Sequence, residues 1–453
     1  MGSVILLKDE RDKPNIEILG QDRGRNIQYG RRIDNPKIKV VHIGLTTPEI
    51  PKSYIQIADV RTKKVIHEGE ANSYTRNYYN RLASQILNIG TWQFNTSDVH
   101  LGGSGYFNIR DTTGHYELGG SPAYLNYSPN IIEALSGTYG YQGDTRVKSG
   151  SSVGSGAGAW SAEDYTLTEF THGVADGNLY FNPEIATVVN YNAGTRVWTA
   201  GSTRFLDNYG TTNITNINET GLYCYISKTG FTGAYLEERN VLSSPITVNA
   251  NQCLRIKHSR QYTFPSVAGD YIRNGYNFWL SNALVCAITG SDAYEDGYRS
   301  LMKEDYVGAI DGNSASSTLD HNAGGCFSGA STSVSGILVG TGNTAVTLDD
   351  YALATKKVHS AAFTYGTCWR TAITWTAATH TFKITWSRTF TDVSAGNITI
   401  AEIALGWMTG LNNSSIGFIG IISRAVLGSA QALVNGESLE VLYTISMVLP
   451  SWG

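Results

Sequence analysis

The chain has 453 residues, 41% of them hydrophobic and 16% charged, with a formal net charge of −4. That is enough apolar material for two cores, and it leaves neither the basic footprint of a nucleic-acid binder nor a polybasic membrane patch. The 49 glycines and 27 tyrosines describe a turn-rich, aromatic-rich β protein. The apolar start, Val4-Ile5-Leu6-Leu7, meets Lys8 too soon for a signal sequence or a membrane span, so synthesis in the cytoplasm is expected. Cys224, Cys253, Cys286, Cys326 and Cys368 stand singly, as inert thiols in a reducing compartment do.

In chain order, residues 1–70 read as a strand-rich arm. Residues 36–43 form a β-branched run, and residues 54–60 turn through Arg61 to Lys64 into Val65-Ile66-His67 as a hairpin. A helix is predicted next, capped by Asn72 or Ser73, with Tyr74, Tyr78, Leu82 and Ile86 on one face and Gly90 past its end. A second segment, Tyr271 to about Ile288, starts similarly but is apolar nearly all round; it is either a more deeply buried helix or partly strand. Further on, residues 381–387 alternate with period two, placing Phe382, Ile384 and Trp386 on one side. Residues 397–400 and 439–445 continue that pattern, the latter after the turn Asn435-Gly436.

The chain also repeats itself. Val153-Gly154-Ser155-Gly156 and Asp164-Tyr165-Thr166-Leu167 return in register as Val339-Gly340-Thr341-Gly342 and Asp350-Tyr351-Ala352-Leu353. Arg204-Phe205-Leu206-Asp207, Asn213-Ile214-Thr215 and Glu219 match Thr389-Phe390-Thr391-Asp392, Asn397-Ile398-Thr399 and Glu402; Arg239-Asn240-Val241-Leu242 matches Arg424-Ala425-Val426-Leu427. The predicted organisation is therefore an N-terminal β arm (1–70) followed by two units (71–268 and 269–453). Each unit is a helix followed by an antiparallel β-sandwich of jelly-roll type, in a mainly β protein.

The motifs point to architecture rather than chemistry. Gly150-Ser151-Ser152-Val153-Gly154 matches the G-x-S-x-G pattern, but its repeat has Leu338 where Ser152 stands, so no nucleophile is assigned. Gly154, Gly156, Gly340 and Gly342 lack the Lys-Ser/Thr of a phosphate loop and are read as tight-turn glycines with positive φ. Asp164 and Asp350 are expected to cap turn N–H groups while Tyr165 and Tyr351 pack their rings, and Glu219 and Glu402 are expected to be buried acceptors for backbone or Arg donors. No metal or cofactor is expected. The acidic turn Asp292 to Gly297 lacks the glutamate of a calcium loop, Lys303 standing in its place. Tyr78, Tyr79, Tyr106, Tyr124, Tyr127, Tyr139 and Tyr141 suit either sugar stacking or protein contacts.

The run Val339-Gly340-Thr341-Gly342, Asp350-Tyr351, Thr389-Phe390-Thr391-Asp392, Ile400-Ala401-Glu402, Ser423-Arg424-Ala425-Val426-Leu427 and Val434-Asn435-Gly436-Glu437 resembles a recurrent module of virion structural proteins of tailed bacteriophages, as do Arg76-Asn77 and Asp111-Thr112-Thr113-Gly114 upstream. The first copy departs from it with Trp160 and a longer Tyr223 to Glu238 insertion. The resemblance implies a non-enzymatic head, neck or tail accessory protein of a virion, with no catalytic residue. Its expected partners are other virion proteins and itself, as a homo-oligomer for which a trimer would give a pseudo-sixfold surface. The alternative is a fibre or capsid-decoration protein that binds host-surface glycans.

Overall fold

The computed structural model describes residues 16–22, 26–46, 52–71 and 74–78, most of 109–117, and, apart from a few positions, 150–263 and 336–448. These residues are mainly β, in four antiparallel or mixed sheets and one two-stranded ribbon. The N-terminal strands are β1 (Ile16–Asp22), β2 (Ile27–Arg32), β3 (Ile38–Thr46), β4 (Lys52–Asp59) and β5 (Val65–Ala71); β6 (Ile109–Arg110) and β7 (Tyr116–Glu117) make the ribbon. The first repeat holds β8 (Gly150–Gly154), β9 (Tyr180–Phe181), β10 (Ile185–Asn192), β11 (Val197–Asp207), β12 (Ile214–Lys228), β13 (Phe231–Val248) and β14 (Cys253–Thr263). The second holds β15 (Gly336–Gly340), β16 (Phe363–Tyr365), β17 (Trp369–Thr376), β18 (Thr381–Asp392), β19 (Ile398–Leu411), β20 (Ser414–Leu433) and β21 (Ser438–Val448).

The two repeats share one pairing plan. In the first, β13-β12-β8 form one sheet while β10-β11-β14 carry on into the N-terminal β4-β5, with β9 on β11. In the second, β20-β19-β15 form one sheet and β16 and β17 pair with β18, which pairs with β21 and so leads into β3-β2-β1. The N-terminal segment is thus divided. β4 pairs antiparallel with β14, and β3 pairs parallel with β21, from Ile38 opposite Ser438 to Thr46 opposite Ser446. In the first repeat one apolar core joins the two sheets: Ile55, Ile57, Leu206, Leu254 and Ile256 from one layer meet Val153, Ile217, Leu242, Ile246 and Val248 from the other.

The predicted strands at 36–43, 54–60, 381–387, 397–400 and 439–445 fall within β3, β4, β18, β19 and β21. Ile384 and Trp386 are buried as the alternation requires, but Thr385 on the opposite face is buried too. Its Oγ1 shares a hydrogen bond of 2.7 Å with Thr444 across the strand pair, which satisfies the hydroxyl there.

The helices are a correction: among the described residues no helical element precedes either unit. Residues 76–78 are helical, while 79–90 and 271–288 lie outside the described residues. The start of the first predicted helix docks its polar groups on β13. Tyr74 bridges to Glu238, the N–H of Thr75 donates to Glu237 O at 2.8 Å, and both Thr75 Oγ1 and Asn77 Nδ2 donate to Leu236 O. The first N–H groups of a helix have no acceptor within it, so these bonds satisfy the start of the turn at 76–78.

Pairing also corrects the internal alignment. Leu206 lies opposite Phe181 and Phe390 opposite Tyr365, and Arg204 and Arg388 both donate from Nη1 to the first shared strand, at Ser151 O and Ile337 O. Arg204 therefore corresponds to Arg388, Leu206 to Phe390 and Asn208 to Asp392, one position away from the match suggested by Phe205 and Phe390. The first copy carries no insertion between its paired Glu and Arg: they are 20 residues apart in the first copy and 22 in the second.

Candidate functional site

The residues both copies keep converge on one clamp. Glu219 on β12 is buried, and its Oε1 accepts from the N–H groups of Gly156 at 3.1 Å and Thr168 at 2.6 Å, while Oε2 accepts from Arg239 Nε at 2.7 Å. Arg239, across the hairpin on β13, donates from Nη1 to Asp164 Oδ2 at 2.9 Å and to Ala159 O, and from Nη2 to Gly158 O. The second copy repeats this atom for atom at its centre. Glu402 Oε1 accepts from Gly342 N–H at 3.1 Å and Thr355 N–H at 2.7 Å, Oε2 accepts from Ala354 N–H at 3.0 Å, and Arg424 links Oε2 to Asp350. Burial works against the charge of Arg239 and of Arg424, but their hydrogen bonds to the paired carboxylates outweigh it and hold both above the ordinary arginine pKa.

Asp164 also accepts from the N–H of Ser161, and Asp350 from that of Thr347. Tyr165 is half-buried with the Arg110 guanidinium 3.7 Å from its ring centroid; Tyr351 lies outside the described residues.

The paired glycines are there for room, not for φ. Positive φ occurs at Gly150 and Gly336, which begin β8 and β15, and not at Gly154, Gly156, Gly340 or Gly342. A Cβ on Gly154 would stand 2.6 Å from Thr168 O and also collide with Glu219; on Gly340 it would stand 2.6 Å from Thr355 O and collide with Glu402. The turn reading of these four residues is thereby replaced by close approach of a carboxylate to the backbone.

A second polar constellation belongs to the first copy alone and carries no repeat signal. Ser53 of β4, Glu238 of β13, and His258 and Arg260 of β14 are all buried. Ser53 Oγ lies 2.6 Å from Glu238 Oε2 and 2.8 Å from His258 Nε2, which is itself 2.7 Å from the same Oε2. Arg260 binds Glu238 Oε1, reaches Glu237 Oε2 at 3.0 Å, and lies near the rings of Tyr74 and Tyr78, which stack on each other. Burial opposes ionisation of Glu238, yet the charges of Arg260 and His258 and the hydrogen bonds from His258 and Ser53 prevail, depressing its pKa to about 2.

The set is not a hydrolytic triad. There the serine and the acid engage opposite nitrogens of the imidazole, whereas here both sit on Nε2 and all three side chains are shut off from solvent. In the second copy Ser423 and Tyr443 occupy the places of Glu238 and His258, joined by a neutral hydrogen bond of 2.7 Å.

Sequence reading also missed Arg204 and Arg388. Arg204 lies beside Glu184 at 3.5 Å and donates to Asn182 O and Ser151 O; Arg388 donates to Gly366 O and Ile337 O, with buried Cys368 at the place of Glu184. An alignment anchored on these arginines would have found them. The remaining sites proposed from sequence, Tyr79, Tyr106, Tyr124, Tyr127, Tyr139, Tyr141 and the acidic turn at 292–297, lie outside the described residues. No protein-family model, curated protein or solved structure matches this chain.

Proposed function

We propose that this chain is a non-enzymatic structural protein of a tailed-phage virion, a head, neck or tail accessory component built from two jelly-roll-like β-sandwich units. The observation that carries the reading is the duplicated Glu–Arg–Asp clamp. What the two copies keep is a device that ties a long loop to a hairpin, with every named polar atom spent on the chain itself. Such conservation between copies selects for shape, as a load-bearing or surface-forming part requires, and the sequence resemblance supplies the setting. Assembly proceeds with further copies of this chain and with other virion proteins.

Quantitative mass spectrometry of purified particles from a phage encoding the chain tests the proposal. The expected outcome is a fixed copy number per particle, with sedimentation of the isolated chain showing a homo-oligomer. Particles that are infectious and lack the protein would overturn it.

A further inference from the structure

Asn208 and Asp392 occupy the same place in the two repeats, and the difference between an amide and a carboxylate there has a chemical consequence. The backbone around each is the same. Asn208 N–H donates to Gln252 O and Asn251 N–H to Asn208 O; Asp392 N–H donates to Glu437 O and Gly436 N–H to Asp392 O. One side-chain oxygen is used alike, Asn208 Oδ1 accepting from Gly210 N–H at 3.0 Å and Asp392 Oδ1 from Ser394 N–H at 2.8 Å.

The other terminal atom differs. Asn208 Nδ2 donates to three main-chain carbonyls, Thr212 at 2.9 Å and Val248 and Asn249 at 3.2 Å each. Val248 is opposite Ile214 and Leu433 opposite Ile398, and Gln252 N–H and Glu437 N–H donate to Asn249 O and Val434 O, so Leu433 and Val434 bring the corresponding carbonyls in the second copy. By this correspondence the place of Asn208 Nδ2, a donor, falls to Asp392 Oδ2, an acceptor. Asp392 is 0% exposed, and its Oδ2 has no hydrogen-bond partner.

We propose that Asp392 Oδ2 and the carbonyls of the 433–434 turn bind a hard cation of the size of sodium or calcium. A buried carboxylate oxygen facing carbonyl oxygens is an all-acceptor set with net negative charge, which is the ligand chemistry of such ions. A water molecule supplies two protons but no charge. Lys39, a cation next to this turn, is engaged with Ala432 O and with Glu437 Oε2, the latter at 2.9 Å, and that oxygen also accepts from Val434 N–H. Among the described residues no three His, Cys, Asp or Glu side chains group as a metal would need; the ligands here are one carboxylate and main-chain oxygens.

The test is thermal unfolding of the full chain after chelation and desalting, with CaCl2 or NaCl added back against choline chloride at matched ionic strength. Either ion should raise the unfolding temperature by on the order of 3 °C at saturating concentration. Asp392→Asn installs the amide that the first copy already accommodates, so it should fold and lose the response. The reciprocal Asn208→Asp should gain a second ion-dependent shift, and calorimetric titration of the parent chain reads binding directly if either variant fails to fold. A parent chain that neither binds nor responds to calcium or sodium would overturn the site, as would Asp392→Asn responding like the parent. Stabilisation of the parent by acid alone, without any ion effect, would assign a neutral carboxyl instead and also overturn it.

Discussion

At the scale of single residues, the clamp makes distinct demands on its glycine, its arginine and its carboxylate. Gly340→Ala forces a Cβ against Thr355 O and Glu402 and should cost about 1–3 kcal/mol, as overpacking does. Glu437→Gln weakens a partly exposed contact to Lys39 and should cost under about 1 kcal/mol. Denaturant melts of the two variants check the order, and a smaller loss for Gly340→Ala would count against the close approach. Arg239→Met leaves Glu219 buried without its ion-pair partner and should cost about 3–5 kcal/mol. Adding Glu219→Gln to that variant should recover part of the loss, because that carboxyl group goes with it. A double variant no more stable than Arg239→Met alone would place the cost elsewhere.

The clamp glutamates were legible as buried acceptors because both copies keep them after an Asn-Ile-Thr strand. The reason for the glycines was not, since sequence cannot show that a carboxylate packs on their Cα atoms. The one-residue slip at Arg204 comes from the two phenylalanines: matching Phe205 to Phe390 shifts the strand by one residue and crosses to its other face. Further along, between Ile214 and Glu219, the first copy has one residue more than the second has between Ile398 and Glu402, taken up where the β12–β13 register shifts. A bulge absorbs such an extra residue without changing the fold.

Among the elements, β4, β13 and β14 of the first copy are joined by the Ser53–Glu238–His258–Arg260 network, whereas the second copy has Ser423 and Tyr443 in its place. The Glu238 pKa is depressed from 4.5 to about 2. A carboxylate depressed in the folded state gives stability that is present above its unfolded value and is lost as pH falls through the folded one, here between 4.5 and 2. The contribution is at most about 3 kcal/mol. Fluorescence melts across that range should show the first copy weakening before the second, and Glu238→Gln should flatten the dependence. An unchanged acid limb in Glu238→Gln would show that other carboxylates set it. None of this network was visible in the sequence, because Ser53 and His258 are far apart in the chain and have no repeat partner.

For the whole molecule, the N-terminal arm was legible as strands from its β-branched runs. Its division between the two repeats was not, because a period of two shows that a strand exists but not which edge it joins. Deleting residues 1–35 removes β1 and β2 and bares the side of β3 on which Ile27 and Ile43 are buried. The expected outcome is a lower unfolding temperature for the second repeat and association of the truncated chain through the uncovered strand, read by calorimetry and light scattering. A truncation as stable as the full chain would show that β1 and β2 add no more than cover.

The parallel pairing of β3 with β21 sets an order for folding during synthesis. Ile38 must wait for Ser438, and at ribosomal rates of about 5–20 residues per second the delay is on the order of 20–80 s. Through that interval β3 is a nascent strand without its central neighbour, while β4 meets β14 after only about half as much chain. The first repeat can therefore close while its ribosome is still translating, and the second becomes complete only when β21 leaves the exit tunnel. Neighbouring ribosomes on one message hold β3 strands with one edge open side by side, where a chaperone or another nascent copy is the nearest alternative partner.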